Sequence, residues 1–193
     1  MSRVDEILSF WFGTPRDDEE YYNTWHKRWF TSDPHFDLIV REYFLNDYHL
    51  AATRALMDWQ NTARSGLALV LLCDQFPRNM FRNDPRAFTT DPLARAVATH
   101  LTQVGLDRQL LPVERSFIYM PFMHSEALQD QQHSVTLFRR LAEEREFLNS
   151  VPYALKHQEI IKRFGRFPHR NATLGRLSTP EEVEFLKQPG SSF

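Results

Sequence analysis

The stretch Leu67-Ala68-Leu69-Val70-Leu71-Leu72-Cys73-Asp74-Gln75-Phe76-Pro77 decides the fold class of this chain. Drawn as a helix, it puts Leu67, Ala68, Leu71, Leu72 and Gln75 on one side and Leu69, Cys73 and Phe76 on another. It is therefore apolar nearly all round, the mark of a helix buried at the centre of a protein. Phe76 precedes Pro77, and a residue before proline is pushed out of the α region, so the helix is expected to end there. The apolar run Leu67 to Cys73 is far shorter than the roughly 20 residues that cross a membrane.

Outward from this segment the apolar spacing stays helical. Val4, Ile7, Leu8, Trp11 and Phe12 form one face of a first helix, stopped by Gly13 and Pro15. Asp33-Pro34 supplies an N-cap and a first-turn proline for a helix expected to reach about Met57. Asp91-Pro92 begins another, closed by Gly105. Pro112 opens a helix in which Pro121 should make a kink or break, because it cannot donate to the carbonyl of Phe117. Ser125 is placed as the cap of a long helix carrying Leu128, Val135, Phe138 and Leu141. Tyr153 to Phe164 runs into Gly165, and Thr179-Pro180-Glu181-Glu182 has the form of a capping box. The fold class is all-α: about seven to nine helices in a compact antiparallel bundle or stack, one domain over residues 1–193. No repeat of about 34 or 40 residues is visible.

Of the 193 residues, 42% are apolar and 25% charged, the composition of a folded protein. The single Cys73 forbids an intrachain disulfide, and no basic, apolar leader opens the chain, so the expectation is a cytoplasmic protein with no membrane partner. A net charge of −2, with no Walker loop, dinucleotide turn or zinc-finger spacing, gives no support to nucleic acid as partner or to a cofactor.

Gln75-Phe-Pro-Arg-Asn79 and Arg166-Phe-Pro-His-Arg-Asn171 each follow an apolar helix and suggest two comparable corners. With Asp74, Arg86-Ala-Phe88, Pro112-Val-Glu-Arg115, His124-Ser-Glu126, Ser178-Thr-Pro-Glu-Glu182, the Ile7-Leu-Ser-Phe-Trp-Phe12 opening and the closing Pro189-Gly-Ser-Ser-Phe193, they give the chain its likeness. Over nearly its whole length it resembles the mainly bacterial family called domain of unknown function 924. The resemblance implies a fold similar to the tetratricopeptide-like helical superfamily, and brings no catalytic residue with it.

Lys156 to Arg176 holds six Lys and Arg residues against the single acid Glu159, a local charge of +5. Guanidinium forks suit carboxylate or phosphate, so this loop and the matching corner are candidates for binding a small anionic metabolite or an acidic peptide end. The residues placed in that pocket are Asp74, Gln75, Arg78, Asn79, His124, Arg163, Arg166, His169, Arg170 and Asn171. Asp74, at the end of an apolar helix, requires a partner, and an arginine of the 166–170 loop is the candidate. The plainer alternative pairs these arginines with surplus acids such as Asp17 to Glu20.

His124, Glu126 and His169 are the acid–base candidates if the protein is a hydrolase-like enzyme, with a Ser125 triad the weakest version. Glu126, Asp130 and His133 lie at metal-compatible spacing, but no second histidine motif accompanies them and no metal is expected. The aromatic N-terminal run, Trp11, Phe12, Tyr21, Tyr22, Trp25, Trp29 and Phe30, reads as core packing. The competing function is an interaction scaffold in which the arginine loop only locks the C-terminal segment down.

Overall fold

Leu67 to Cys73 are all fully inaccessible, and the rest of the chain is arranged around them. The computed structural model describes residues 1–192, and among these there is helix and no strand. Phe193, the last residue of the closing motif, lies outside the described residues. The α-helical segments are α1 (Arg3–Phe12), α2 (Glu19–Phe30), α3 (Pro34–Ala52), α4 (Ala63–Val70) and α5 (Phe76–Met80), then α6 (Asp91–Gln103), α7 (Pro112–Met123), α8 (Leu128–Glu144), α9 (Val151–Phe164) and α10 (Pro180–Leu186). Helix α4 packs on α1, α6 and α7, while α6, α7, α8 and α9 pack on one another in chain order. Gly66 makes the α4–α6 approach possible: a Cβ there would stand 2.6 Å from a Leu101 methyl.

The helix does not stop at Phe76. A π-helical turn, Leu71–Gln75, joins α4 to α5, and the Phe76 amide donates to the Leu71 carbonyl five residues back. Pro77 offers no N–H to the Cys73 carbonyl, but the Thr90 hydroxyl donates to it at 2.7 Å. The backbone therefore loses no partner and the helix continues to Met80. Such turns are frequent at functional positions, and this one carries Asp74 and Gln75.

Three other boundaries differ from the sequence reading. Helix α3 ends at Ala52, short of Met57, because Arg54 takes the left-handed conformation (φ 63°) usually left to glycine. Its amide bonds Ala51 and that of Ala55 bonds Leu50, a Schellman closure. Helix α7 runs through Pro121 to Met123 without a break; residues 116–123 are all buried, and their packing holds the helix across one missing bond. The cap of α8 is Ala127, not Ser125, whose hydroxyl bonds the Ala127 amide from two residues upstream.

The aromatic run does build core. Trp29 Nε1 donates to the Trp11 carbonyl (2.9 Å) and the Tyr21 hydroxyl to the Phe12 carbonyl (2.7 Å), satisfying the open end of α1. Phe30, about half exposed, is the exception. Thr90→Val is isosteric but strands the Cys73 carbonyl; urea unfolding should show a loss of about 1–3 kcal/mol, and unchanged stability would refute the role given to Thr90.

Candidate functional site

Asp74 lies fully buried where the π turn meets α5, and its two oxygens gather three side chains. Oδ1 faces His124 Nδ1 at 2.8 Å and the Arg78 Nη1 at 3.4 Å, and Oδ2 accepts from Gln75 Nε2 at 2.6 Å. Burial alone opposes ionisation, yet Arg78 and His124 hold this carboxyl well below the usual carboxylate range. The expected partner was an arginine of the 166–170 loop. The structure instead supplies Arg78, one turn along the same helix, because Arg170 stops at the next carboxylate.

That carboxylate is Asp91, at the start of α6. Arg78 grips it with both Nη atoms (2.9 and 3.1 Å), and Arg170 reaches it only through Nη1 at 3.4 Å. Arg170 is sandwiched between the rings of Phe88 and Phe167, its Cζ 4.6 Å from each centroid. It is 7% exposed, and burial together with the neighbouring Arg78 lowers its pKa to about 10, so it stays charged at neutral pH. His124 is also mostly enclosed; burial, then Arg78, depresses its pKa against the opposing pull of Asp74. The His157 ring lies 6.4 Å from that of His124 and 5.5 Å from that of Phe167, closing the cluster.

The two Phe-Pro corners therefore meet at Asp91, but several residues assigned to the pocket are occupied elsewhere. Arg163 pairs with Glu181 at 2.8 Å on the exposed side of α10. Arg166 grips Glu182 with two bonds, 2.7 and 2.8 Å, and also bonds the Leu177 carbonyl. Asn171 joins Ser178, Glu182 and Arg176. Asn79 donates to Asp37, which Arg82 also binds. The arginines of the basic loop thus take Glu181, Glu182, Asp91 and Glu126, while Asp17 goes to Arg145.

Glu126 does not sit with His124 as an acid–base pair. It precedes α8 and fastens the C-terminal corner by accepting from the Phe167 amide (2.8 Å) and two Arg176 nitrogens (2.7 and 2.9 Å). Ser125 Oγ donates to Asp130 (2.6 Å) and accepts from Arg95 (3.1 Å), so no histidine is among its hydrogen-bond partners and no triad forms. Asp130 is engaged there, and His133 lies edge-on to Phe122, 4.8 Å between centroids. Among the described residues, no three His, Cys, Asp or Glu side chains are grouped to hold a metal. His169, mostly buried with its pKa lowered to about 4 by burial and Arg170, lies beside the Phe167 ring.

Sequence reasoning missed Asp91, which it used only as a helix start, and Phe88, quoted only within a motif. It also missed a groove of about 950 Å³ whose floor is the Arg115, Tyr119, Phe122 face of α7 and whose walls are α6 and α8.

The sequence profile of the bacterial proteins of unknown function DUF924 matches residues 7–190. The chain belongs to that family. It is also similar to a solved structure, that of the protein of unknown function ATU0120 from Agrobacterium tumefaciens, at 38% identity and a TM-score of 0.83 over 95% of this chain and 96% of that one. No curated protein matches it. No described helix is long and apolar enough to cross a membrane.

His157 fixes a pH dependence. Burial, against the pull of the Tyr153 carbonyl, lowers its pKa from 6.5 to about 3. Between those values the unfolded chain binds a proton that the fold excludes, so its contribution is complete above pH 6.5 and declines as pH falls. Urea midpoints taken from neutral pH to about pH 4 should fall less steeply for His157→Gln than for wild type; parallel slopes would contradict this.

Proposed function

We propose that the chain captures a small anionic compound, a carboxylate or a phosphate ester, on Arg170 with Arg78 and His124 alongside. One observation carries the reading. Of the five N–H donors on Arg170, one finds an acceptor, the 3.4 Å contact to an Asp91 carboxylate already held twice by Arg78. Nε is sealed from solvent with no acceptor, whereas Nη2, equally unbonded, is not sealed. A buried guanidinium so poorly satisfied is unfavourable unless an anion completes it. The flanking rings and the fixed Asp91 hold its fork in place before any ligand arrives, which lessens the ordering needed on binding.

The site is narrower than the sequence suggested. Arg166 and Asn171 are engaged with Glu182 and fasten α10 to the body of the protein. Arg166→Ala should therefore lower stability, read as an earlier urea midpoint, and leave anion affinity in the remaining folded protein unchanged. Arg170→Met should do the reverse, because an apolar side chain of similar length fills the slot between Phe88 and Phe167 and leaves Arg78 on Asp91. In a thermal-shift screen of carboxylates and phosphates, an anion at about 100 times its dissociation constant should stabilise wild type by roughly 2.7 kcal/mol and Arg170→Met not at all. Equal shifts in both proteins would sink the proposal.

A second reading, a docking face for an acidic segment of a partner protein, is favoured by the groove between α6 and α8. Of its carboxylates, Asp130 and Glu144 are neutralised by Arg95 and Arg115 and the buried Asp107 accepts from the Tyr119 hydroxyl, while the exposed Arg108 and Arg140 have no partner among the described residues. Tyr119 and Phe122 are buried in the floor, leaving no open ring for a base to stack on. Arg108→Ala/Arg140→Ala should weaken capture of a glutamate-rich peptide without affecting anion binding at Arg170.

A further inference from the structure

The Asp74–His124 contact says more about the ligand than the arginines do. A buried, ionised carboxylate can only accept, so the His124 nitrogen facing it, Nδ1, carries the ring proton. The other nitrogen, Nε2, is then left with its lone pair. It makes no hydrogen bond and is not sealed from solvent, and His124 keeps 15% of its side-chain surface exposed. Gln75 and Arg78 occupy the rest of Asp74, so nothing on the protein side competes to turn the ring over.

The cluster thus offers a ligand two different things. Arg170 Nη2 presents N–H donors with no acceptor, and His124 Nε2 presents one acceptor with no donor. A plain carboxylate or sulfate satisfies the first and leaves the second unbonded. The geometry points to an anion that carries its own O–H donor, a 2-hydroxy carboxylate or a hydrogen phosphate, as the ligand class of this site: its charged oxygens meet Arg170, and its hydroxyl donates to His124 Nε2. The inference rests on the anion-binding reading above and goes beyond it by assigning His124 as the residue that selects among anions. Sites built to bond a ligand hydroxyl discriminate sharply against analogues that lack it, because the site's own polar atom is then left unpaired.

Two matched pairs test this: glycolate against acetate, and inorganic phosphate against sulfate, each titrated calorimetrically into wild type, Arg170→Met and His124→Phe near neutral pH. Wild type should prefer the hydroxylated member of at least one pair by about ten-fold or more, and the pair that shows the preference names the source as hydroxy acid or phosphate. Arg170→Met should bind none of the four. His124→Phe, which keeps a ring of similar shape, should bind weakly and without preference; should it fail to fold, His124→Gln serves instead. Equal affinity within both pairs, with binding still dependent on Arg170, would overturn the selection role and leave the anion site standing. Binding of none of the four anions by wild type, or binding that survives in Arg170→Met, would overturn both readings.

Discussion

A fully buried carboxylate at the end of an apolar helix is the constraint from which the site follows. An ionised Asp74 is intolerable in that position unless it is bonded, and its partners are drawn from different parts of the chain: Gln75 beside it, Arg78 one turn on and His124 at the end of α7. Arg78 in turn fixes Asp91 at the start of α6, and Asp91 receives Arg170 from the C-terminal corner. Elements far apart in sequence thus meet through alternating charges. A network of this kind is most sensitive at Asp74 and Arg78, since removal of either charge leaves its neighbour buried and unpaired, whereas Asp91 keeps Arg78 when Arg170 is replaced.

The basic loop divides its labour. Arg163, Arg166 and Arg176 reach Glu181, Glu182 and Glu126 and tie α10 and the preceding corner to the body of the molecule. Glu182 serves three partners, closing the capping box of α10 through the Thr179 amide and receiving Arg166 and Asn171. Of these arginines, Arg170 alone is buried with donors to spare. The charge excess that first marked this segment is therefore mainly a clamp, and Arg170 is its one member in the proposed anion site.

Much of the fold was legible because the signals are local. The Ser-Phe-Trp-Phe-Gly end of α1, the Asp33-Pro34 start of α3, Gly165 after α9 and the Thr179 capping box each act within one turn of helix. Where the reading failed, a distant or unusual residue had taken over the local rule. Thr90 replaces the bond that Pro77 cannot make, 13 positions away, and Arg54 adopts the turn conformation that a glycine would have advertised. The site was legible in composition but not in pairing. Asp74, Arg78, His124 and Arg170 could be named as polar residues in improbable places, whereas their order around Asp91, and the diversion of Asn79, Arg163, Arg166 and Asn171 to other acids, depend on contacts across as many as 79 residues of sequence.

The central claim is that Asp74 holds His124 with Nδ1 protonated and Nε2 free. Nitrogen-15 chemical shifts of the His124 ring, measured by long-range proton–nitrogen correlation at neutral pH, test it directly. The account predicts a protonated Nδ1 and a bare Nε2; a ring carrying its proton on Nε2, or an imidazolium with both nitrogens protonated, would contradict it.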